Sequence, residues 1–62
     1  MEHHLIDRAR GEYREMPGLI LTPQQMKRLL GCSDTECQTV LTHLIAEKFL
    51  VRTHDGQFRR RD

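Results

Sequence analysis

The chain predicts a single α+β domain, mainly α, with three helices, one short strand and a terminal β-hairpin. Three observations predict it. Two helix starts with the same capping grammar stand about eleven residues apart, at Thr22 and Ser33, with Gly31 between them. Apolar residues recur at helical spacing both before and after those starts. Asp55-Gly56 then separates two runs of strand formers near the C-terminal end. A short helix, a glycine-containing turn and a longer helix make a helix-turn-helix.

The first helix follows from Leu5, Ile6, Ala9, Tyr13 and Met16, which share a helical period and predict a helix over Glu2–Glu15. Gly11 weakens it by about 1 kcal/mol relative to alanine. Met16-Pro17-Gly18 ends it, because a residue before proline avoids the helical region. Tyr13 and Met16, near its end, face either the core or a second chain. Leu19-Ile20-Leu21 is too short for a helix and reads as a strand, whose backbone groups need a partner.

Thr22 caps the second helix. Pro23 occupies its first position, where the missing N–H costs nothing. Gln25 completes a capping box, and Leu21 and Met26 form a hydrophobic staple. The helix runs to Leu30 and stops at Gly31, which suits a left-handed residue. Met26, Leu29 and Leu30 face inward; Lys27 and Arg28 face solvent. The same grammar then repeats. Ser33 caps, Glu36 closes the box, and Cys32 and Cys37 take the staple positions. This third helix is expected over Asp34–Lys48. Cys37, Val40, Leu41, Leu44 and Ile45 form its core stripe. Thr35, Thr39, Thr42 and Ala46 line the opposite face, flanked by Gln38 and His43. Asp34 and Glu36 suit the positive end of the helix dipole.

Phe49-Leu50-Val51-Arg52-Thr53 follows as a strand and returns through Gln57-Phe58-Arg59-Arg60-Arg61. A two-residue Asp55-Gly56 loop would set Phe58 on the face of Val51 and Thr53. A three-residue His54-Asp55-Gly56 loop, with Gly56 left-handed, sets Phe58 with Leu50 and leaves Val51 and Arg59 on the other side. The second register is preferred because it gathers two large apolar groups on one face. The Leu19–Leu21 strand is then expected to pair with this hairpin.

The chain's 62 residues, 37% hydrophobic and 31% charged, fit one small soluble domain over 1–62. A core of that size supplies roughly 3–5 kcal/mol, so pairing into a homodimer is a second route to stability. No apolar run reaches the roughly 18 residues of a membrane span. No secretory pattern is visible, and two cysteines fit a reducing compartment, so a cytoplasmic location is expected. Net charge is +1, but its distribution is uneven. Lys27 and Arg28 stand without an acid between residues 17 and 31. Arg52, Arg59, Arg60 and Arg61 gather at the C-terminal end, while the third helix is net acidic.

No metal, cofactor or catalytic site is expected. Cys32 and Cys37 lie outside the usual spacing of paired zinc cysteines, and both have apolar roles as staple and core. A disulfide between them is the minor alternative. His3 and His4 are adjacent and do not share a helix face. No nucleophile, base and orienting group occur together, and no glycine loop for phosphate is present.

The order helix, strand, helix, turn, helix, hairpin resembles a winged helix. The stretches Pro17-Gly18-Leu19-Ile20-Leu21-Thr22-Pro23-Gln24-Gln25, Phe49-Leu50-Val51-Arg52-Thr53 and Asp55-Gly56-Gln57-Phe58 resemble the small stand-alone bacterial winged helix-turn-helix proteins. That resemblance implies double-stranded DNA as partner, in transcription regulation or on the nucleoid. The third helix would enter the major groove with Thr35, Gln38, Thr39, Thr42 and His43. Arg52, Arg59, Arg60 and Arg61 would act from the wing, and Lys27 and Arg28 on the backbone. Glutamine can pair with adenine, threonine methyls can meet thymine, and arginines can release counterions from phosphate. Two features oppose it: Asp34 and Glu36 sit at the entering end of the helix, and the pI is about 7.9. The alternative is a protein-interaction winged helix without DNA binding, using the same small, neutral face.

Overall fold

The computed structural model describes the backbone of residues 2–61 and the side chains of residues 4–61. In chain order it contains α1 (Glu2–Glu15), β1 (Ile20–Leu21), α2 (Pro23–Leu30), α3 (Asp34–Ala46), β2 (Leu50–Arg52) and β3 (Phe58–Arg60). The three strands form one antiparallel sheet in the order β1-β3-β2. This is an α+β, mainly α architecture with the layout of a winged helix: three helices, a strand between the first two, and a terminal hairpin.

Local chemistry sets the helix boundaries. Thr22 Oγ1 accepts from the Gln25 N–H, and Gln25 Oε1 accepts from the Thr22 N–H. Ser33 and Glu36 repeat the exchange at the start of α3. Both capping boxes are thus complete. Gly31 stands at φ 65°, and its N–H bonds back to the Lys27 carbonyl. A second stop for α2 comes from α1: the Arg8 guanidinium donates to the carbonyls of Leu29 and Leu30 at 3.2 and 3.3 Å. These carbonyls have no partner inside their own helix.

The third helix is shorter than its sequence period suggests. It ends at Ala46, not Lys48, because Lys48 turns left-handed at φ 67°. The Lys48 N–H then bonds Ile45, and the Phe49 N–H bonds Leu44. That is the Schellman end, here formed without glycine. The reversal drops Phe49 back toward α1 and lets β2 start at Leu50.

The hairpin takes the three-residue loop. Val51 pairs with Arg59 and Arg52 with Phe58. Gly56 is left-handed at φ 77°. Leu50 and Phe58 are therefore buried together, while Arg59 is exposed. On the other edge of β3, Ile20 pairs with Arg59 and Leu21 with Phe58, so β1 does close on the hairpin.

One core joins the elements. Ile6, Ala9 and Tyr13 of α1 meet Met26 and Leu30, then Cys37, Val40, Leu41 and Leu44, then Leu50 and Phe58. Tyr13 is fully buried, and its hydroxyl donates to the Phe58 carbonyl at 2.7 Å. Tyr13 therefore belongs to the core and is not available to a second chain. Met16 is 52% exposed and does not. Two further expectations are corrected. Ile45 is 39% exposed, since the core stripe of α3 narrows once the chain turns away at Lys48. Leu29 is only half-buried, as it lies on the edge of a two-turn helix.

Candidate nucleic-acid interface

The outward face of α3 carries Thr35, Gln38, Thr39, Thr42 and His43, all exposed. The capping box fixes the helix's start, and the buried stripe of Cys37, Val40, Leu41 and Leu44 fixes its rotation. Gln38, Thr39, Thr42, His43 and Ala46 line a shallow depression of about 500 Å³. The Thr39 hydroxyl donates to the Thr35 carbonyl at 3.1 Å, so it is already engaged within the helix.

Between α3 and the wing lies a second hollow, of about 310 Å³. Gln38, Leu41, Thr42 and Ile45 form one wall. Arg52, Gly56 and Phe58 form the other, with Pro23 at the end. Arg52 is thus the wing arginine that the fold brings beside the helix face.

The remaining cations are scattered. Lys27 is tied to Asp34 at 2.8 Å, and this hydrogen bond pushes its amine above the ordinary range. It is therefore not a free phosphate contact, and the Asp34 side chain it binds is itself 87% exposed. Arg28 is exposed and makes no ion pair among the described residues. Arg59 points from the outer face of the sheet and donates to the Arg60 carbonyl. Arg61 is exposed beyond the end of β3. Arg60 lies elsewhere: its guanidinium carbon sits 5.7 Å from the Phe49 ring centroid. Arg10 and Arg14 of α1 approach the same ring at 5.9 Å each. Sequence reasoning grouped Arg60 with the wing and gave Arg10 and Arg14 no role. Only the return of the chain at Lys48 brings the three together.

The acidic start of α3 keeps its charge but puts half of it to local use. The Glu36 carboxylate is folded back on the Ser33 N–H, which lowers its pKa, and it caps the helix rather than facing outward. At the other end, His43 Nε2 lies 3.0 Å from Glu47 Oε2. Glu47 also takes two hydrogen bonds from Arg10 at 2.7 and 2.8 Å. His43 is therefore held against the Glu47 carboxylate at the edge of the face.

Both cysteines are free thiols. Burial raises the pKa of each, and Cys37 also donates weakly to the Pro23 carbonyl. Neither is an activated nucleophile in this setting. Among the described residues, no group of three or more His, Cys, Asp or Glu side chains could hold a metal. The His3 side chain lies outside the described residues. No helix among the described residues is long and apolar enough to cross a membrane.

Compared with protein-family models, with curated proteins and with solved structures, the chain matches none.

Proposed function

We propose that the chain is a DNA-binding winged helix of the small stand-alone bacterial type, acting in transcription regulation or on the nucleoid in the cytoplasm. The observation that carries this reading is the placement of Arg52 across a narrow hollow from Gln38 and Thr42. A duplex could set a groove on the α3 face while Arg52 meets the adjoining phosphate. Gln38 then offers a bidentate amide to adenine, and Thr39 and Thr42 offer methyls to thymine. Arg28, Arg59 and Arg61 would add backbone contacts. If each of the four free arginines meets one phosphate, log K falls with log salt at a slope of roughly −3 to −4. Non-specific binding is then weak, with Kd on the order of 10⁻⁴ to 10⁻⁶ M at physiological salt.

An NMR titration with random-sequence duplex at 50 mM salt tests this. Shifts should concentrate on Gln38, Thr39, Thr42 and Arg52, and Arg52→Ala should weaken binding and reduce the salt slope by about one. Shifts that avoid α3, or a slope near zero, would overturn it.

One observation favours a protein partner instead. The α3 face is neutral and made of small groups, while Lys27 and His43 beside it are both engaged by carboxylates. A partner helix would fit the depression lined by Thr39, Thr42 and Ala46. The same titration separates the two, since the protein reading expects no shifts with duplex at low salt.

A further inference from the structure

Phe49 is the residue after the left-handed turn at Lys48, and the fold wraps it in cations. Arg10 and Arg14 reach it from α1 and Arg60 from β3, all within 6 Å of the ring centroid. Tyr13 supports the ring from inside, edge to face, at 6.4 Å. Only one of the three cations is compensated. Arg10 pairs with Glu47 and with Asp7. Arg14 and Arg60 make no ion pair among the described residues. A guanidinium packed on an aromatic ring loses little hydrogen-bonding capacity, because its N–H groups lie in its plane. The ring therefore holds two uncompensated forks in place before any ligand arrives, which lowers the ordering cost of binding.

We infer that Phe49, Arg14 and Arg60 form a docking surface for an acidic peptide segment of another protein. The partner's chemistry follows from charge and from position. Carboxylates complement the two free guanidiniums in bidentate geometry. Position argues against duplex DNA. α1 packs against the buried stripe of α3, with Ala9 and Tyr13 in one cluster with Val40 and Leu44. Arg10 is joined through Glu47 to His43 at the edge of the α3 face, but Arg14 stands one turn further along α1, behind the buried stripe rather than on the threonine face. DNA is stiff over about 150 base pairs, so a duplex seated on α3 does not fold round to that side. A flexible peptide can. The surface stands independently of any nucleic-acid binding by α3.

The test uses the full chain and a fluorescein-labelled ten-residue peptide of glutamates and serines with one central leucine. Fluorescence anisotropy is read at 50 mM salt. The wild type should bind saturably. Arg14→Ala with Arg60→Ala should weaken binding by about fivefold or more. Arg59→Ala with Arg61→Ala removes the same charge elsewhere and should change it by less than twofold. Thermal melts confirm that each variant is folded, and Arg14→Gln alone, at an exposed position, should already weaken binding. Three results would overturn the inference: no saturable binding, equal losses in the two double variants, or displacement of the peptide by duplex DNA.

Discussion

Replacing Tyr13 with phenylalanine should give a variant that is less stable than the parent at neutral pH and more stable in strong base. The ring is fully buried, so the substitution keeps the packing and deletes one hydroxyl. That hydroxyl donates to the Phe58 carbonyl at 2.7 Å, tying α1 to the central strand. The loss of such a bond costs about 1 kcal/mol. For a domain of this size, 1 kcal/mol lowers Tm by roughly 6–8 °C. In base the sign reverses. Burial lifts the Tyr13 pKa from 10.0 to about 12. A group whose pKa is raised by folding contributes its full stability below the unfolded value and loses it as pH rises through the folded one. Between pH 10 and 12 the unfolded chain ionises its tyrosine while the folded chain resists. The wild type thereby loses on the order of 2 kcal/mol that the phenylalanine variant keeps. The two stability curves should cross near pH 11, by the same linkage. Urea unfolding followed by far-UV circular dichroism from pH 7 to 12 reads the difference directly. Other titrating groups affect both proteins alike and cancel. Curves that stay parallel across this range would refute the placement of the hydroxyl.

The two left-handed helix ends should respond in opposite directions. Gly31→Ala meets open space but forces a side chain into φ 65°, and should cost about 1 kcal/mol. Lys48→Gly relieves the corresponding strain at φ 67° and should gain up to about 1 kcal/mol; chemical denaturation measures both. Leu44→Ala opens the centre of the core at a fully buried site, costing about 2–5 kcal/mol, and should leave little folded protein at 37 °C by circular dichroism. Glu47 has its pKa lowered, first by the Arg10 hydrogen bond, so its contribution is present above pH 4.5 and is lost as pH falls through its folded value. Glu47→Gln should therefore be less stable than wild type at pH 6, with the gap narrowing as pH falls; a gap that does not change on acidification would contradict the pairing.

What the sequence made legible was whatever is encoded within a few residues. Thr22 with Gln25 and Ser33 with Glu36 are separated by three positions, and both boxes form where their spacing places them. The hairpin register was legible because only one loop length buries Leu50 and Phe58 together. The end of α3 was not, since Lys48 carries no local signal for a left-handed turn, whereas Gly31 does. What forces Lys48 into that turn is tertiary: β2 must begin at Leu50 for its partner strand to reach both Leu50 and Ile20's neighbour Leu21.

That one turn also decides how the positive charge is distributed. Counted along the chain, Arg52, Arg59, Arg60 and Arg61 look like a single basic wing. In space they diverge, because alternate residues of a strand face opposite ways. Arg52 shares the inner face with Leu50 and emerges beside α3; Arg59 takes the outer face; Arg60 returns to the inner face at the far end and meets Phe49. Had α3 continued to Lys48, Phe49 would not fall under α1, and Arg10 and Arg14 would have no aromatic partner. Lys48→Gly preserves the turn and should leave both surfaces intact. Lys48→Pro cannot adopt a positive φ and should disrupt the Phe49 cluster together with the start of β2. If Lys48→Pro instead left the Tyr13 and Phe49 ring resonances of the wild type unchanged by NMR, the link between this turn and the arrangement of the arginines would fail.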